Sequence, residues 1–200
     1  RLTTSRQTYP SFRLGLAGAH QVSNAIGAVR LLEELADVGL PVATDAIVRG
    51  LARVEWPGRL DVVRVGTEGA VLFDAAHNPA AAATLAAFLR EAYPEGLPLV
   101  IGAMRDKDTD GMARALLPCA SHIVCAAPET PRAVPAHELA ARIQRLGGAT
   151  PVTAEPDPWQ AVTAAWRHAD TVCVTGSIFL VGQLLATAEA RGGTRKQGSG

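Results

Sequence analysis

The stretch Val71-Leu72-Phe73-Asp74-Ala75-Ala76-His77-Asn78-Pro79, with the alanine-rich run that follows it to Tyr93, decides the fold. Val71 to Phe73 is a short apolar run of the kind that becomes a buried strand. Asn78-Pro79 reads as a helix start: Asn accepts a first-turn N–H, and Pro at the first helical position lacks the donor that would be orphaned there. Strand, short polar turn and helix open a doubly wound α/β unit, whose strands point their carboxyl ends at the ligand crevice. Asp74 and His77 fall in that turn, so a carboxylate and an imidazole are aimed where a ligand would lie.

Downstream the alternation continues. The patterns predict helices over 79–93, 108–117, 136–146, 158–169 and 178–191, and strands over 98–103, 121–126, 151–153 and 171–175. Just upstream, 60–65 and 70–74 read as a hairpin around Gly66 to Gly69. Such alternation predicts a Rossmann-like, mostly parallel sheet with helices on both faces. Residues 192–200 are polar and Gly-rich and read as a flexible tail. Before Trp56-Pro57-Gly58-Arg59 the pattern is helical: Val22 to Leu40, with Val22, Ile26, Val29, Leu32 and Ala36 on one stripe, then Thr44 to Arg53. The Pro-Gly break predicts a boundary, with 1–56 on one side and 57–191 on the other. Arg1 and the weakly alternating segment after it give the opening no start-like character, so a piece of a longer chain is expected.

Apolar residues make up 48% of the 200-residue chain and aromatics 4%, which points to a core of Ala, Val and Leu. Lys plus Arg and Asp plus Glu are both 19, and this balance argues against a broad nucleic-acid footprint. No apolar run nears the roughly 18 residues that span a bilayer, and no segment reads as a signal peptide. Cys119, Cys125 and Cys173 lack metal-type spacing and are expected to be buried thiols in a reducing cytoplasm.

Polar clusters fall at the strand ends and at the break. Asp74 could accept from ribose hydroxyls or bind turn amides, and His77 could orient an anion or lie on the surface. Ser177, after the strand ending at Thr175, reads first as a helix cap whose hydroxyl could also meet a carboxylate. Lys107, in Arg105-Asp106-Lys107-Asp108, could neutralise a substrate carboxylate or be merely solvated. Arg59 suits phosphate oxygens and Asn24 an adenine edge, and either could equally hold the break in place. The chain has no Gly-x-x-x-x-Gly-Lys-Ser/Thr loop, no Gly-x-Gly-x-x-Gly fingerprint, no nucleophile elbow and no His pair at metal spacing.

Taken in order, Gly18-Ala19-His20-Gln21-Val22-Ser23-Asn24-Ala25, Trp56-Pro57-Gly58-Arg59-Leu60, Asp74 to Pro79, Gly102 to Asp108 and Gly176-Ser177-Ile178-Phe179-Leu180-Val181-Gly182 resemble the second half of the folylpolyglutamate synthase/dihydrofolate synthase family of Mur-type ligases. The match runs over about residues 14–185. Ala75 stands where a Gly is common, Asp61 where a Glu is frequent, and Gln183 where an acidic residue is frequent.

The resemblance implies a Mur ligase C-terminal domain preceded by a helical remnant of the central ATPase domain. It also implies ATP-dependent addition of L-glutamate to dihydropteroate or folates through an acyl phosphate. ATP and Mg2+ are the implied cofactors, with the metal ligands mostly outside this chain. Asn24, Arg59 and Asp74 match ATP contacts, with Arg59 on phosphate and Asp74 on the nucleoside. His77, Ser177 and Phe179 match glutamate-site positions, while His77 and Lys107 are the catalytic candidates. The implied partners are small molecules, and the whole enzyme would be a cytoplasmic monomer free of nucleic acid and membrane. These residues by themselves would be inactive. A peptidoglycan Mur-type ligase, or a nucleotide-binding module without chemistry, are the other readings.

Overall fold

A computed structural model describes residues 1–195 in two compact units, the first Arg1–Trp56 and the second starting at Pro57. The predicted tail positions 196–200 lie outside the described residues.

The first unit holds α1 (Ala19–Leu35), a 3-10 turn over 36–38, and α2 (Thr44–Arg53). Gly39, at φ +82°, ends the turn in a left-handed conformation that glycine adopts without steric cost. The buried positions of α1 are Gln21, Val29 and Glu33, whereas Val22 and Ile26 of the predicted stripe are exposed. Val29 and Glu33 lie on the same face as Val22 and Ile26, so that stripe is covered only in its later turns, where Glu33 is held by a polar network. Glu33 Oε1 accepts from the Thr4 hydroxyl at 2.6 Å and the Tyr9 hydroxyl at 3.1 Å, and Oε2 pairs with Arg30 at 3.1 Å. The Thr4 hydrogen bond does most to hold the Glu33 carboxyl below its ordinary range, with Tyr9 and Arg30 adding to it. Tyr9, Val29 and Ile47 form the small core beneath.

The second unit is built on seven strands in the order β5-β4-β3-β6-β2-β1-β7. In chain order these are β1 (Asp61–Val65), β2 (Gly69–Phe73), β3 (Leu97–Ile101), β4 (Ala120–Cys125), β5 (Val152–Ala154), β6 (Thr171–Thr175) and β7 (Thr194–Arg195). The five from β5 to β2 run parallel, and β1 turns back on β2 as the predicted hairpin. Thr194 and Arg195, expected in a flexible tail, instead pair antiparallel with β1, where Arg195 also binds Asp61 at 3.2 Å.

The helices are α3 (Pro79–Ala92), α4 (Thr109–Leu116), α5 (Ala136–Arg145), α6 (Pro158–Ala165) and α7 (Ile178–Ala190). Side chains of α3, α4 and α5 build one core with Leu72, Leu99, Ile101 and Cys173, while α6 and α7 build the other with Val71, Phe73, Val100 and Val174. Strands β2 and β3 read as unbroken apolar runs because both their faces are covered. Helix α6 stops four residues short of the predicted end. Trp166 caps it with a helical backbone and donates its indole N–H to Ala70 O at 3.1 Å, and His168 stacks on His122 at 3.7 Å between ring centroids.

All three cysteines are buried and free, and burial pushes the Cys125 thiol up to about 12. The native protein is therefore expected to resist an aromatic disulfide reagent at mildly alkaline pH, and the unfolded chain to titrate all three thiols. One fast-reacting native thiol would contradict this packing.

Burial first, and the facing His168 second, lower the pKa of His122. The unfolded chain then binds the proton more readily than the native one, so the contribution is present above about 6.5, the ordinary histidine value, and is lost as pH falls below it. Urea unfolding between neutral and mildly acidic pH should show falling stability, with a shallower slope for His122→Leu; equal slopes would rule out His122 as the cause.

Candidate functional site

The carboxyl ends of β2, β6 and β3 lie side by side and are knitted together by backbone hydrogen bonds. Asp74 N–H donates to Val174 O at 3.0 Å, Gly102 N–H to Thr175 O at 3.2 Å, and Gly176 N–H to Ala76 O at 3.0 Å. Gly176 sits at φ +93°, and a Cβ there would lie 2.4 Å from Gly102 O, so only glycine lets these loops approach.

Asp74 extends β2 at this edge. Its carboxylate is buried, with Oδ2 accepting Leu60 N–H at 3.2 Å and Oδ1 accepting Ala76 N–H at 3.0 Å. Ala75 N–H donates to Gly58 O at 2.8 Å, a second tie between the 74–76 turn and the segment 57–60. Leu60 has φ +48°, alone in positive φ among the described non-glycine residues. A left-handed leucine costs roughly 1–2 kcal/mol, which its burial and the Asp74 bond offset. Arg59, half-buried, stands between Gly58 and Leu60 and makes no side-chain hydrogen bond or ion pair among the described residues.

His77 Nδ1 is 2.9 Å from Ala75 O. A carbonyl only accepts, so Nδ1 carries the hydrogen and neutral His77 presents Nε2 as a proton acceptor. Asn78 caps α3 by accepting Ala81 N–H at 2.9 Å, the structural role its sequence position predicts. Ser177 caps α7, accepting from Phe179 N–H at 3.1 Å and Leu180 N–H at 3.4 Å; its own hydroxyl proton remains able to donate. Phe179 and its neighbour Ile178 are exposed at the start of that helix.

Lys107 lies on the loop leaving β3 and pairs with Asp106 at 3.3 Å, which Arg132 also binds at 2.8 Å. Those cations, Arg132 foremost, hold the Asp106 carboxyl below its ordinary range. Asn24 belongs to the first unit, exposed on α1, where it donates to Gln21 Oε1 at 3.0 Å. Among the described residues no three His, Cys, Asp or Glu side chains group so as to hold a metal ion.

This edge and the sheet that carries it have a known counterpart, since residues 58–178 match the model of the Mur ligase glutamate ligase domain. The chain belongs to the Mur ligase family. Among curated relatives it is 38% identical over 182 residues to a probable bifunctional folylpolyglutamate synthase/dihydropteroate synthase of Haloferax volcanii, covering 88% of this chain and 20% of that protein. It is 33% identical over 165 residues to the dihydrofolate synthase/folylpolyglutamate synthase of Escherichia coli, covering 82% of this chain and 38% of that one. Among solved structures, Mycobacterium tuberculosis folylpolyglutamate synthase complexed with ADP superposes with a TM-score of 0.81 at 31% identity, over 91% of this chain and 43% of that one. This Mur ligase chain thus spans well under half the length of these relatives.

Three features of the Mur ligase edge escape sequence reasoning. Leu60's left-handed backbone has no residue signal, because leucine rarely adopts it. The paired amides on Asp74 come from residues 14 positions upstream and 2 downstream. Thr175 is the third. Its Oγ1 is buried without a hydrogen-bond partner, and a polar residue closing an apolar strand before Gly176-Ser177 is the one clue to it. Leu72 pairs with Cys173 on the α3–α5 face, so Asp74 and Thr175, one alternation further on, share that face. Thr175→Val replaces an orphaned hydroxyl with a methyl group. It is expected to leave stability unchanged or raise it by about 1 kcal/mol in urea unfolding. A loss of about 2 kcal/mol would show that the hydroxyl has a partner.

Proposed function

We propose that this chain is the glutamate-ligase part of an ATP-dependent ligase that joins L-glutamate to dihydropteroate or a folate. The observation that carries the reading is the strand-end edge, where Arg59, Asp74, His77 and Ser177 are brought together on interlocked turns. The family membership, the folylpolyglutamate synthase relatives and the ADP in a structural neighbour support it.

The donor set fits a nucleotide phosphate at Arg59, a half-buried guanidinium without a partner among the described residues, because such a group binds phosphate oxygens in paired fashion. Asp74 is assigned to the same nucleotide end. ATP supplies the phosphoryl group that activates the acid as an acyl phosphate. The glutamate amine then displaces phosphate to leave the amide. In this reading His77 Nε2 would hold the amine or take its proton, the Ser177 hydroxyl would donate to a glutamate carboxylate, and Phe179 would shield that site from water. Lys107 would add a compact cation to the same end. The carboxylates that hold Mg2+ are assigned outside this chain. No described helix is long and apolar enough to cross a membrane, and the buried free thiols suit a reducing cytoplasm.

Steady-state kinetics of the intact protein carrying this chain test the assignment. Arg59→Ala is expected to raise KM for ATP on the order of tenfold with KM for glutamate little changed, and His77→Ala the reverse. Absence of ATP- and glutamate-dependent product in the unsubstituted protein would overturn the reading.

A further inference from the structure

We propose that Asp61 is a positioning residue for Arg59: its carboxylate closes the turn that carries the guanidinium, and Arg195 of β7 holds that carboxylate in place. This rests on the nucleotide reading of Arg59 and gives the first residue of β1 a part in it without any contact with the nucleotide.

Asp61 opens β1, and its side chain turns back over the residues before it. Oδ2 accepts Gly58 N–H at 3.2 Å, three residues upstream, so the hydrogen bond closes a ring with Arg59 and Leu60 inside it. The flanks of Arg59 are left-handed on both sides, at Gly58 (φ +74°) and Leu60 (φ +48°), a conformation that a free segment would rarely keep at both places. A Cβ on Gly58 would lie 2.8 Å from Val181 Cγ1, so the closed turn is also pressed against α7. The Asp61 side chain is only 12% exposed, and its bond to Gly58 is therefore largely shielded from water.

The same oxygen is met from the far end of the second unit. Arg195 Nε donates to Asp61 Oδ2 at 3.2 Å, while its Nη2 donates to Glu189 on α7. Arg195 arrives there because the chain doubles back after that helix. Gly192 is at φ +77°, and a Cβ on Gly193 would lie 2.6 Å from Ala188 O and 2.8 Å from Val63 Cγ1. Glycine thus lets the return pass close to both α7 and β1, setting Thr194 against Arg64 and Arg195 against Val63. A guanidinium tied to two carboxylates restricts the rotamers of Asp61, which keeps Oδ2 where the Gly58 N–H needs it.

Steady-state kinetics of the intact protein read the coupling. Asp61→Ala is expected to raise KM for ATP about fivefold and to leave KM for glutamate within about twofold. Added to Arg59→Ala it should raise KM for ATP no further, because both changes act through one guanidinium. A purely structural ion pair would lower the melting temperature and leave KM for ATP unchanged. That result would overturn the proposal, as would multiplied effects of Asp61→Ala and Arg59→Ala, or an equal rise in KM for glutamate.

Amide hydrogen exchange at Gly58 supplies a readout that needs no turnover. Asp61→Ala should accelerate it about fivefold and Arg195→Ala about twofold, with amides in the middle of β3 unaffected. Unchanged exchange in Asp61→Ala would overturn the closed turn, and unchanged exchange in Arg195→Ala the role of β7. Absence of ATP- and glutamate-dependent product in the unsubstituted protein would defeat the functional reading instead, and exchange at Gly58 would then decide the closed turn alone.

Discussion

Strand β6 forms parallel ladders with β2 on one side and β3 on the other, and each functional side chain assigned in the second unit depends on that insertion. The chain leaves β2, passes beyond the place β6 will occupy, builds β3, β4 and β5, and returns through α6 to fill the gap. Moving out with α3, α4 and α5 on one face and back with α6 and α7 on the other is what right-handed crossovers require. The strand ends where direction reverses are the place where such sheets take their ligands, and the turns carrying Asp74, Gly102 and Gly176 pack together there.

That edge is stiff because its loops satisfy one another's backbone groups. Three ladder-like hydrogen bonds join the turns, two amides are taken by Asp74, and caps at Asn78, Asp108 and Ser177 close the helices that start there. A ligand site built on such turns loses little entropy on binding, since its donors are held before the ligand arrives. The unpartnered hydroxyl of Thr175 and the left-handed Leu60 are local costs at the same edge, where proteins commonly concentrate strain.

Much of the second unit is legible from local pattern. Val71 to Phe73, Asn78-Pro79 and Thr171 to Thr175 announce their elements because apolar runs and cap chemistry act within a few residues. The strand order is not legible, since parallel pairing joins residues about a hundred positions apart. In the first unit, helical spacing places Val22, Ile26, Val29 and Glu33 on one stripe, but which of its turns are covered depends on tertiary contacts such as those of Glu33 with Thr4 and Tyr9, which local spacing does not carry. At the site, Asp74 and His77 are visible as residue types in a turn. What each oxygen and nitrogen binds depends on Leu60, Ala75 and Ala76 amides and carbonyls, which carry no side-chain signature.

The central claim is that the strand-end edge of the second unit receives nucleotide and glutamate. Amide chemical-shift mapping on the isotopically labelled chain, with ADP and L-glutamate added separately, tests it most directly. ADP is expected to move the amides of 58–60 and 74–76, and glutamate those of 77 and 177–179. Shifts gathered at the opposite end of the sheet, around His122 and His168, would contradict it.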